Sequence, residues 1–309
     1  MKTRKLILIA ADLLLLVVCI IQAVFAGRDG VVNFNCSDEI DEIVYQSPSE
    51  SFTLVKNGDN WLGGEKAYAI TKSYIDSFVE QLSSIRALDK VGSLGNAANA
   101  ERYELDDAHK ITVIAKKDGK VLRTLYVGKE ASASSQTYIS VDDKKDIYLA
   151  SGNIHSTFST SLASIRSRTV WQLEKASITG VSLKKYTASG EAESLALSKM
   201  GSGDDVVWNI SPADIQVDSA KAQSWFDSLA SLTTPVWHEE NEKLGGKLFA
   251  EAEITSGFKS VKITIYEIPA ESEDGKAKYY ATSSETPYVF DLAGYAVDRF
   301  LKKAEDFAK

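Results

Sequence analysis

Short segments in which apolar and polar residues alternate recur along the chain, and this period of two predicts β-strands joined by hairpins. In the first half, such a segment at residues 52–56 leads through a polar turn to Trp61. In the second half, a segment at residues 195–199 leads through a glycine-rich turn to Trp208. The same order of strand, turn and tryptophan therefore occurs twice.

An amphipathic helix is predicted after each tryptophan, because apolar residues there recur at helical spacing. Thr71 is placed to cap the first helix and Asp218 the second, and Pro235 follows the second helix. The apolar positions are Ile75, Phe78, Val79, Leu82 and Ile85 in the first helix, and Ala222, Trp225, Phe226, Leu229 and Leu232 in the second.

Further strand pairs and a closing helix are predicted in each half. Asp118-Gly119 is a strong hairpin signal, and Ser256-Gly257 is its counterpart. The strands around these turns are residues 111–115 with 121–127 and residues 252–254 with 261–266. The later pairs are residues 137–141 with 147–150 and residues 278–282 with 288–292. The closing helices are predicted from Phe158, Leu162 and Ile165, and from Val297, Phe300, Leu301, Ala304 and Phe307.

A nearly constant offset separates the landmarks of the two halves. It is 147 for Trp61 and Trp208, 143 for Lys56 and Lys199, and 140 for Tyr126 and Tyr266. The pattern predicts an α+β fold of two tandem repeats, each an antiparallel sheet with an amphipathic helix on one face and a closing helix. The predicted boundaries are residues 38–168 for the first repeat and 169–309 for the second.

Residues 1–30 predict a membrane anchor. Lys2, Arg4 and Lys5 precede about 20 mostly apolar residues, roughly the length that crosses a hydrocarbon core of ~30 Å as a helix. The apolar positions include Leu6, Leu13, Leu16, Val18, Ile21 and Phe25. The basic flank predicts that the rest of the chain lies outside the cytoplasm. The alternative is a signal peptide cleaved after Ala26, although the apolar cores of signal peptides usually run about 7–15 residues.

Composition and charge narrow the class of protein. The 309 residues are 44% hydrophobic and 25% charged, which is typical of globular domains, and the net charge is −8. An acidic chain lacks the basic footprint that nucleic acid requires. Cys19 and Cys36 are the only cysteines, and Cys19 lies in the apolar N-terminal segment. Neither a disulfide framework nor a cysteine metal site is therefore expected.

The histidines do not form a metal-binding pattern. The zinc-protease pattern would need a second histidine four residues after His238, and Glu242 occupies that position. We therefore expect residues 238–242 to be a solvated acidic loop. His109 could act in acid–base chemistry with Asp106 and Asp107, but no nucleophile can be placed beside it, so a loop histidine is expected.

Two serine-x-x-lysine patterns fit the spacing of some acyl-transfer enzymes. They are formed by Ser182 with Lys185 and by Ser256 with Lys259, and neither lies where a helix is predicted to begin. Chance occurrence is the expected explanation. Residues 201–203 contain two glycines but lack the third glycine and the helix of a phosphate-binding loop, so a turn between strands is expected.

Trp61 and Trp208 could anchor a partner or a glycan at the surface, but repeat-spaced aromatic residues are more often part of the core. The acidic residues near the start of the first repeat are expected on the exposed side of a first strand, with weak calcium binding as the alternative. These residues are Asp38, Glu39, Asp41 and Glu42.

The order of these features resembles the DUF4340 family, a domain of unknown function. The resemblance is carried by residues 52–61, by the end of the first helix at residues 82–88, and by residues 125–128. The chain departs from the family pattern at residues 103–106, where the family often has a tyrosine-glycine-leucine turn. It departs again at Ile268, which stands where Gly128 stands in the first repeat.

The resemblance implies a bacterial envelope protein behind a single membrane helix, often with tandem domains and often encoded beside ABC transporters linked with gliding. The expected location is the bacterial cytoplasmic membrane, with the bulk of the chain on the periplasmic side. We expect a non-enzymatic binding or assembly module without cofactors that contacts a membrane or transporter protein. The alternatives are a ligand-binding protein with a sugar or peptide in the cleft between the repeats and, less favoured, a hydrolase with a cryptic site.

Overall fold

A computed structural model describes residues 14–19, 30–132, 135–142, 145–187, 190–201, 205–270 and 276–309. Residues 14–19 are helical, and the side chains of Leu16 and Val18 are exposed there. The other anchor positions, Leu6, Leu13, Ile21 and Phe25, lie outside the described residues. Within the described ranges, no helix combines the length and the apolar character needed to cross a membrane.

The first of two structural units, Met1–Ser167, is built on one ten-stranded antiparallel sheet. The strands are β1 (Val32–Asn35), β2 (Glu42–Gln46), β3 (Ser51–Asn57), β4 (Asn60–Gly63), β5 (Tyr68–Ala69), β6 (Ser84–Ser93), β7 (Ile111–Lys117), β8 (Lys120–Glu130), β9 (Gln136–Val141) and β10 (Asp146–Ser151). Their order across the sheet is β1-β6-β10-β9-β8-β7-β2-β3-β4-β5. The helices are α1 (Lys72–Ser83), α2 (Ala97–Arg102), α3 (Ile154–Phe158) and α4 (Leu162–Ile165).

The second unit, Arg168–Lys309, has an eight-stranded antiparallel sheet in the order β14-β13-β12-β17-β18-β19-β20-β16 and a two-stranded sheet of β11 and β15. The strands are β11 (Thr169–Gln172), β12 (Ile178–Tyr186), β13 (Ala192–Met200), β14 (Val207–Ser211), β15 (Ser231–Thr233), β16 (Trp237–Glu240), β17 (Lys247–Ser256), β18 (Lys259–Ile268), β19 (Lys278–Ser283) and β20 (Thr286–Leu292). The helices are α5 (Ser219–Leu229) and α6 (Gly294–Val297).

Both predicted amphipathic helices are present, and each ends before the last apolar residue that fits the helical spacing. Asp218 caps α5, because its Oδ1 accepts hydrogen bonds from the backbone N–H groups of Ala220 and Lys221. These two bonds stabilise the carboxylate and lower the pKa of Asp218. Ile85 and Leu232, which fit the helical spacing, lie in β6 and β15 instead.

The C-terminal end of the long helix in each unit is closed by an arginine. The Arg123 side chain is only 3% exposed, and its Nε donates to the backbone oxygen of Leu82 at 3.2 Å. Its Nη1 lies 3.0 Å from Asp142 Oδ2. In the second unit, Arg299 Nη1 donates to the backbone oxygens of Ser228 and Ser231. The carbonyl groups of Leu82 and Ser228, which lie in the last turns of their helices, thereby gain charged donors, and the Ser231 carbonyl gains one at the start of β15.

The predicted closing helices are broken into short turns. In the first unit α3 and α4 stand in their place, and Phe158 and Ile165 are buried. In the second, α6 passes into 3₁₀ turns at Asp298–Phe300 and Ala304–Phe307. The chain bends between these turns because its last residues pair with the start of α5, where Asp218 N–H donates to the Phe307 oxygen. The fold class is thus α+β and mainly β.

A connection that the sequence pattern did not predict covers part of the first sheet. Residues 94–110 include α2 and join β6 to β7, and they place Tyr103 and Leu105 against Ile147 in a small apolar cluster. The corresponding connection in the second unit, between β16 and β17, has only residues 241–246. The second sheet therefore lacks this cover.

Candidate functional site

The two repeat-spaced tryptophans occupy matching positions with unequal cover. Trp61 on β4 is in register with Lys56, and Trp208 on β14 is in register with Lys199. Trp61 is 8% exposed and belongs to the core of the first unit, whereas Trp208 is half-buried at the margin of the second core. Of these two tryptophans, Trp208 has the larger exposed part of its side chain.

The difference arises from strand β5. It pairs with the outer side of β4, and Ile70 N–H, just after β5, donates to the Trp61 oxygen at 2.9 Å. β14 takes the corresponding end position in the second sheet and pairs with β13 alone among the described strands. No other strand in the part of the chain that the structure describes pairs with its outer backbone edge.

A cavity of about 470 Å³ lies beside Trp208. The Trp208 ring packs edge-on against Phe226 of α5, with ring centres 5.0 Å apart. Lys199 Nζ donates to Gln223 Oε1 at 3.0 Å and lies 5.9 Å from the centre of the Trp208 ring. The lining residues are Ala176, Thr179, Lys199, Gly201, Val206, Trp208, Ser219 and Gln223. The cavity offers an aromatic wall with amide and hydroxyl groups around it.

Exposed apolar side chains gather at the same end of the second sheet. Met200 and Val207 face each other across β13 and β14, and they are 60% and 55% exposed. Phe258, in the turn between β17 and β18, is fully exposed. Strand β12 links these positions, because Ile178 at its start pairs with Ser256. Since neighbouring strands lie about 4.8 Å apart, Val207 and the turn that carries Phe258 are separated by three to four strand spacings, roughly 14–19 Å.

The predicted acidic loop at residues 238–242 is wrong, since residues Trp237–Glu240 form the edge strand β16. His238 is half-buried, and its Nε2 lies 2.7 Å from Asp291 Oδ1 on β20. Its Nδ1 lies 3.9 Å from Glu242 Oε2. The histidine thus ties β16 to β20, and its partner is 53 residues away in sequence, beyond any local motif.

His238 and Asp291 line a cavity of about 420 Å³. The lining residues are Pro235, His238, Leu244, Ile268, Ala277, Lys278, Tyr279, Tyr280, Asp291, Leu292 and Gly294. Burial raises the pKa of Tyr280, whose hydroxyl donates to the Gly245 oxygen. Among the described residues, no group of three or more histidine, cysteine, aspartate or glutamate side chains is arranged to hold a metal ion.

His109 pairs with an acidic residue, and no serine or cysteine of the described segments is hydrogen-bonded to its side chain. Its Nδ1 lies 2.9 Å from both oxygens of Asp106, and both residues are at the surface. The hydrogen bond with Asp106 raises the pKa of His109, and the same bond lowers the pKa of Asp106. The ion pair favours the folded chain while Asp106 is ionised and His109 is protonated, so its contribution is lost as the pH rises through the raised pKa of His109 or falls through the lowered pKa of Asp106.

The serine–lysine patterns do not bring their two groups together as an acyl-transfer site would. Ser182 and Lys185 both lie within β12, where positions three apart point to opposite faces. Ser256 Oγ contacts Ser177 Oγ, and Lys259 Nζ is paired with Glu285. Gly201, with φ of +87°, begins the connection between two strands, and Ser202 and Gly203 lie outside the described residues.

The predicted place of the acidic run is partly wrong, because β2 begins only at Glu42. Asp41 Oδ2 accepts the Asp118 N–H at 2.9 Å, and this bond lowers the pKa of Asp41. Glu42 Oε1 lies 2.7 Å from Lys116 Nζ. These carboxylates hold the β7–β8 hairpin.

Comparison with known proteins identifies the family. A family model for a domain of unknown function, DUF4340, matches residues 61–245, more than half of the chain. The chain belongs to the DUF4340 family. No curated protein and no solved structure matches it. The DUF4340 match includes β14 and Trp208 and ends before the Phe258 turn.

The turn at residues 103–105 is one of the two places where this chain departs from the DUF4340 pattern. Glu104 stands where the family often has glycine, and its φ is +57°, a conformation that glycine adopts without steric cost. Tyr103 and Leu105 on either side are buried. Glu104 therefore holds this left-handed conformation between two buried side chains.

Proposed function

We propose that this DUF4340 protein is a non-enzymatic, extracytoplasmic binding and assembly module, anchored at the bacterial cytoplasmic membrane by residues 6–26. In this proposal it serves as an auxiliary component of an ABC-transporter-type envelope complex and needs no cofactor. The observation that carries the proposal is the exposed apolar end of the second sheet, formed by Met200, Val207 and Phe258. Grouped apolar side chains at a surface are typical of protein interaction sites.

The turn between β17 and β18 gives the strongest support. A two-residue hairpin turn needs glycine or a polar residue, and Gly257 with φ of +59° meets this need in the first position. The second position is free of backbone demands and still holds a phenylalanine in full contact with water. The matching turn of the first unit, Asp118-Gly119, is polar. An aromatic residue in such a place is best explained by burial in a partner.

We also propose that the two units are copies of one repeat. With the strands numbered as above, each strand of the second sheet has a counterpart whose number is lower by ten. The order β6-β10-β9-β8-β7-β2-β3-β4 becomes β16-β20-β19-β18-β17-β12-β13-β14. The long helix follows β5 in the first unit and β14 in the second. Agreement of eight strands in order and direction supports duplication.

The alternative of a sugar or peptide in the cleft between the repeats stays a prediction.

Site-directed photo-cross-linking in intact cells tests the interaction. We expect a photoreactive phenylalanine analogue at position 258 to capture one defined membrane or transporter protein. The matched control is position 121, because Val121 is 58% exposed beside the corresponding hairpin of the first unit. The proposal fails if position 258 captures only lipid, or the same abundant proteins as position 121.

A further inference from the structure

Edge strands expose unpaired backbone groups, and proteins usually protect them with charges, bulges or short length. The two large sheets have four edge strands among the described residues. β5 has two residues, and β16 carries two glutamates and an irregular register. β1 has four residues, Val-Asn-Phe-Asn, and β14 has five, Val-Trp-Asn-Ile-Ser, and neither strand carries a charge. β14 is therefore the longest of these edges and has no charged residue to protect it.

The first unit shows what such an edge accepts. There the chain turns back after β4 and adds β5, with Leu62 in register with Ala69 and Gly63 with Tyr68. In the second unit the chain after β14 runs on to α5 without turning back. The C-terminal residues pair at Val217, past the end of β14, and leave its edge open.

We propose that the outer edge of β14 accepts an extended segment of a partner protein as an added antiparallel strand, as β4 accepts β5. This inference rests on the proposed partner-binding function and names the mode of binding. The backbone of the added strand pairs with residues 207–211. Apolar side chains on its inner face pack beside Trp208 and Ile210, which are half-buried at the margin of the core.

The cavity beside Trp208 sets the chemistry of the segment. Its aromatic wall fits an apolar side chain, and the polar lining groups include the Ser219 hydroxyl and the Lys199 ammonium, which donates to Gln223. Alternating side chains of an added strand point to opposite faces, so apolar residues are required at every second position only. The exposed Val207 and its register partner Met200 lie on the opposite face of the sheet from Trp208. An added strand can therefore contact Trp208 and the cavity with one face and Val207 with the other.

The first unit supplies a defined probe. A synthetic peptide of residues 65–72 contains β5 and Ile70, and its control is the same peptide N-methylated at Ile70. N-methylation removes the donor that binds the Trp61 oxygen in the first unit. Amide hydrogen exchange is measured on the full chain in detergent micelles. At ten times its dissociation constant, the peptide should slow exchange in β14 about tenfold, and the control peptide should not.

Three results would overturn the inference. One is unchanged exchange of residues 207–211 at millimolar peptide. Another is equal slowing by both peptides, which indicates binding without backbone pairing. The third is protection of β14 that rises with protein concentration alone, since the occupant is then a second copy of the chain. A cross-link from position 258 together with an unresponsive β14 would reject the added strand and leave the proposed function standing.

Discussion

In each unit, one glycine allows two backbone segments to approach closely, and its position differs between the units. A Cβ on Gly128 would lie 2.2 Å from the Tyr103 oxygen, so β8 and the 94–110 connection can approach only at a glycine. In the second unit, Ile268 occupies the matching position on β18. The close approach has moved to Gly246 in the short connection, where a Cβ would lie 2.7 Å from the Glu267 oxygen. Gly246 therefore makes in the second unit a close backbone approach like the one that Gly128 makes in the first.

At Glu104 we expect the substitution Glu104→Gly to stabilise the protein by about 0.5–1 kcal/mol. The left-handed conformation costs a non-glycine residue roughly 1–2 kcal/mol, and the greater freedom of glycine in the unfolded chain offsets about 0.4–1 kcal/mol of the gain. The measurement is the urea midpoint at unchanged m-value. Glu104→Gln is the control, because it removes the charge and keeps the Cβ. A gain from Glu104→Gln equal to that from Glu104→Gly would contradict the backbone explanation.

At the scale of elements, hairpins were the most predictable feature. Asp118-Gly119 adopts positive φ at both residues, as a type I′ turn requires, so β7 and β8 were found from local sequence. Edge and bridging strands such as β1, β6 and β16 were missed, because distant neighbours hold them in the sheet. The prediction of a closing helix in the second unit was wrong for the same reason. Phe300 and Phe307 are buried as expected, but they lie in two short 3₁₀ turns with a bend between them.

The candidate site was predictable only in part. The spacing of the tryptophans identified Trp208, and the turn signal located the hairpin that carries Phe258. The open edge of β14 could not be predicted from the sequence. It arises because the described part of the second unit has no strand that corresponds to β5 of the first. The pairing of His238 with Asp291 could not be predicted either. It depends on the position of β16 beside β20, which the spacing of residues along the chain does not show.

The buried arginine at the end of α1 should be a strong determinant of stability. We expect Arg123→Met to cost about 2–3 kcal/mol, because the Leu82 carbonyl loses a charged donor inside the core. The cost stays below that of a fully buried ion pair, since Asp142 is 44% exposed and can be hydrated. Chemical denaturation measures the change.

Lys116→Met is the matched control for Arg123→Met, because it removes a lysine that pairs with Glu42 near the surface. Its cost should stay within about 1 kcal/mol. Equal losses for the two variants would show that the contact with the helix end contributes little.

At the scale of the whole molecule, the two sheets share one strand order and differ in their cover. The first sheet ends in β5 at one edge and is partly covered by the 94–110 connection. Among the described residues, the second sheet has no counterpart of either, and it exposes the edge of β14, a cavity beside His238 and an apolar turn.

The two tryptophans allow a direct comparison of the units. We expect Trp61→Ala to cost about 3–4 kcal/mol, as for a large core residue, and Trp208→Ala about 1–2 kcal/mol because its ring is only half-buried. Denaturant unfolding of each variant provides the values. Tyr295→Ala, at a side chain 65% exposed, should change stability by less than about 0.5 kcal/mol. Equal costs at positions 61 and 208 would argue against the unequal cover.

The shared sheet order also determines when each unit can fold. β2 lies between β3 and β7, and 64 residues separate the end of β2 from the start of β7. β12 is separated from β17 by 60 residues in the same way. Closing such long loops slows folding. While the chain is still being synthesised, the backbone groups on one side of β2 and of β12 therefore stay unpaired until β7 and β17 are available. During synthesis, β2 and β12 are the strands most exposed to mispairing, although both are central in the finished sheets.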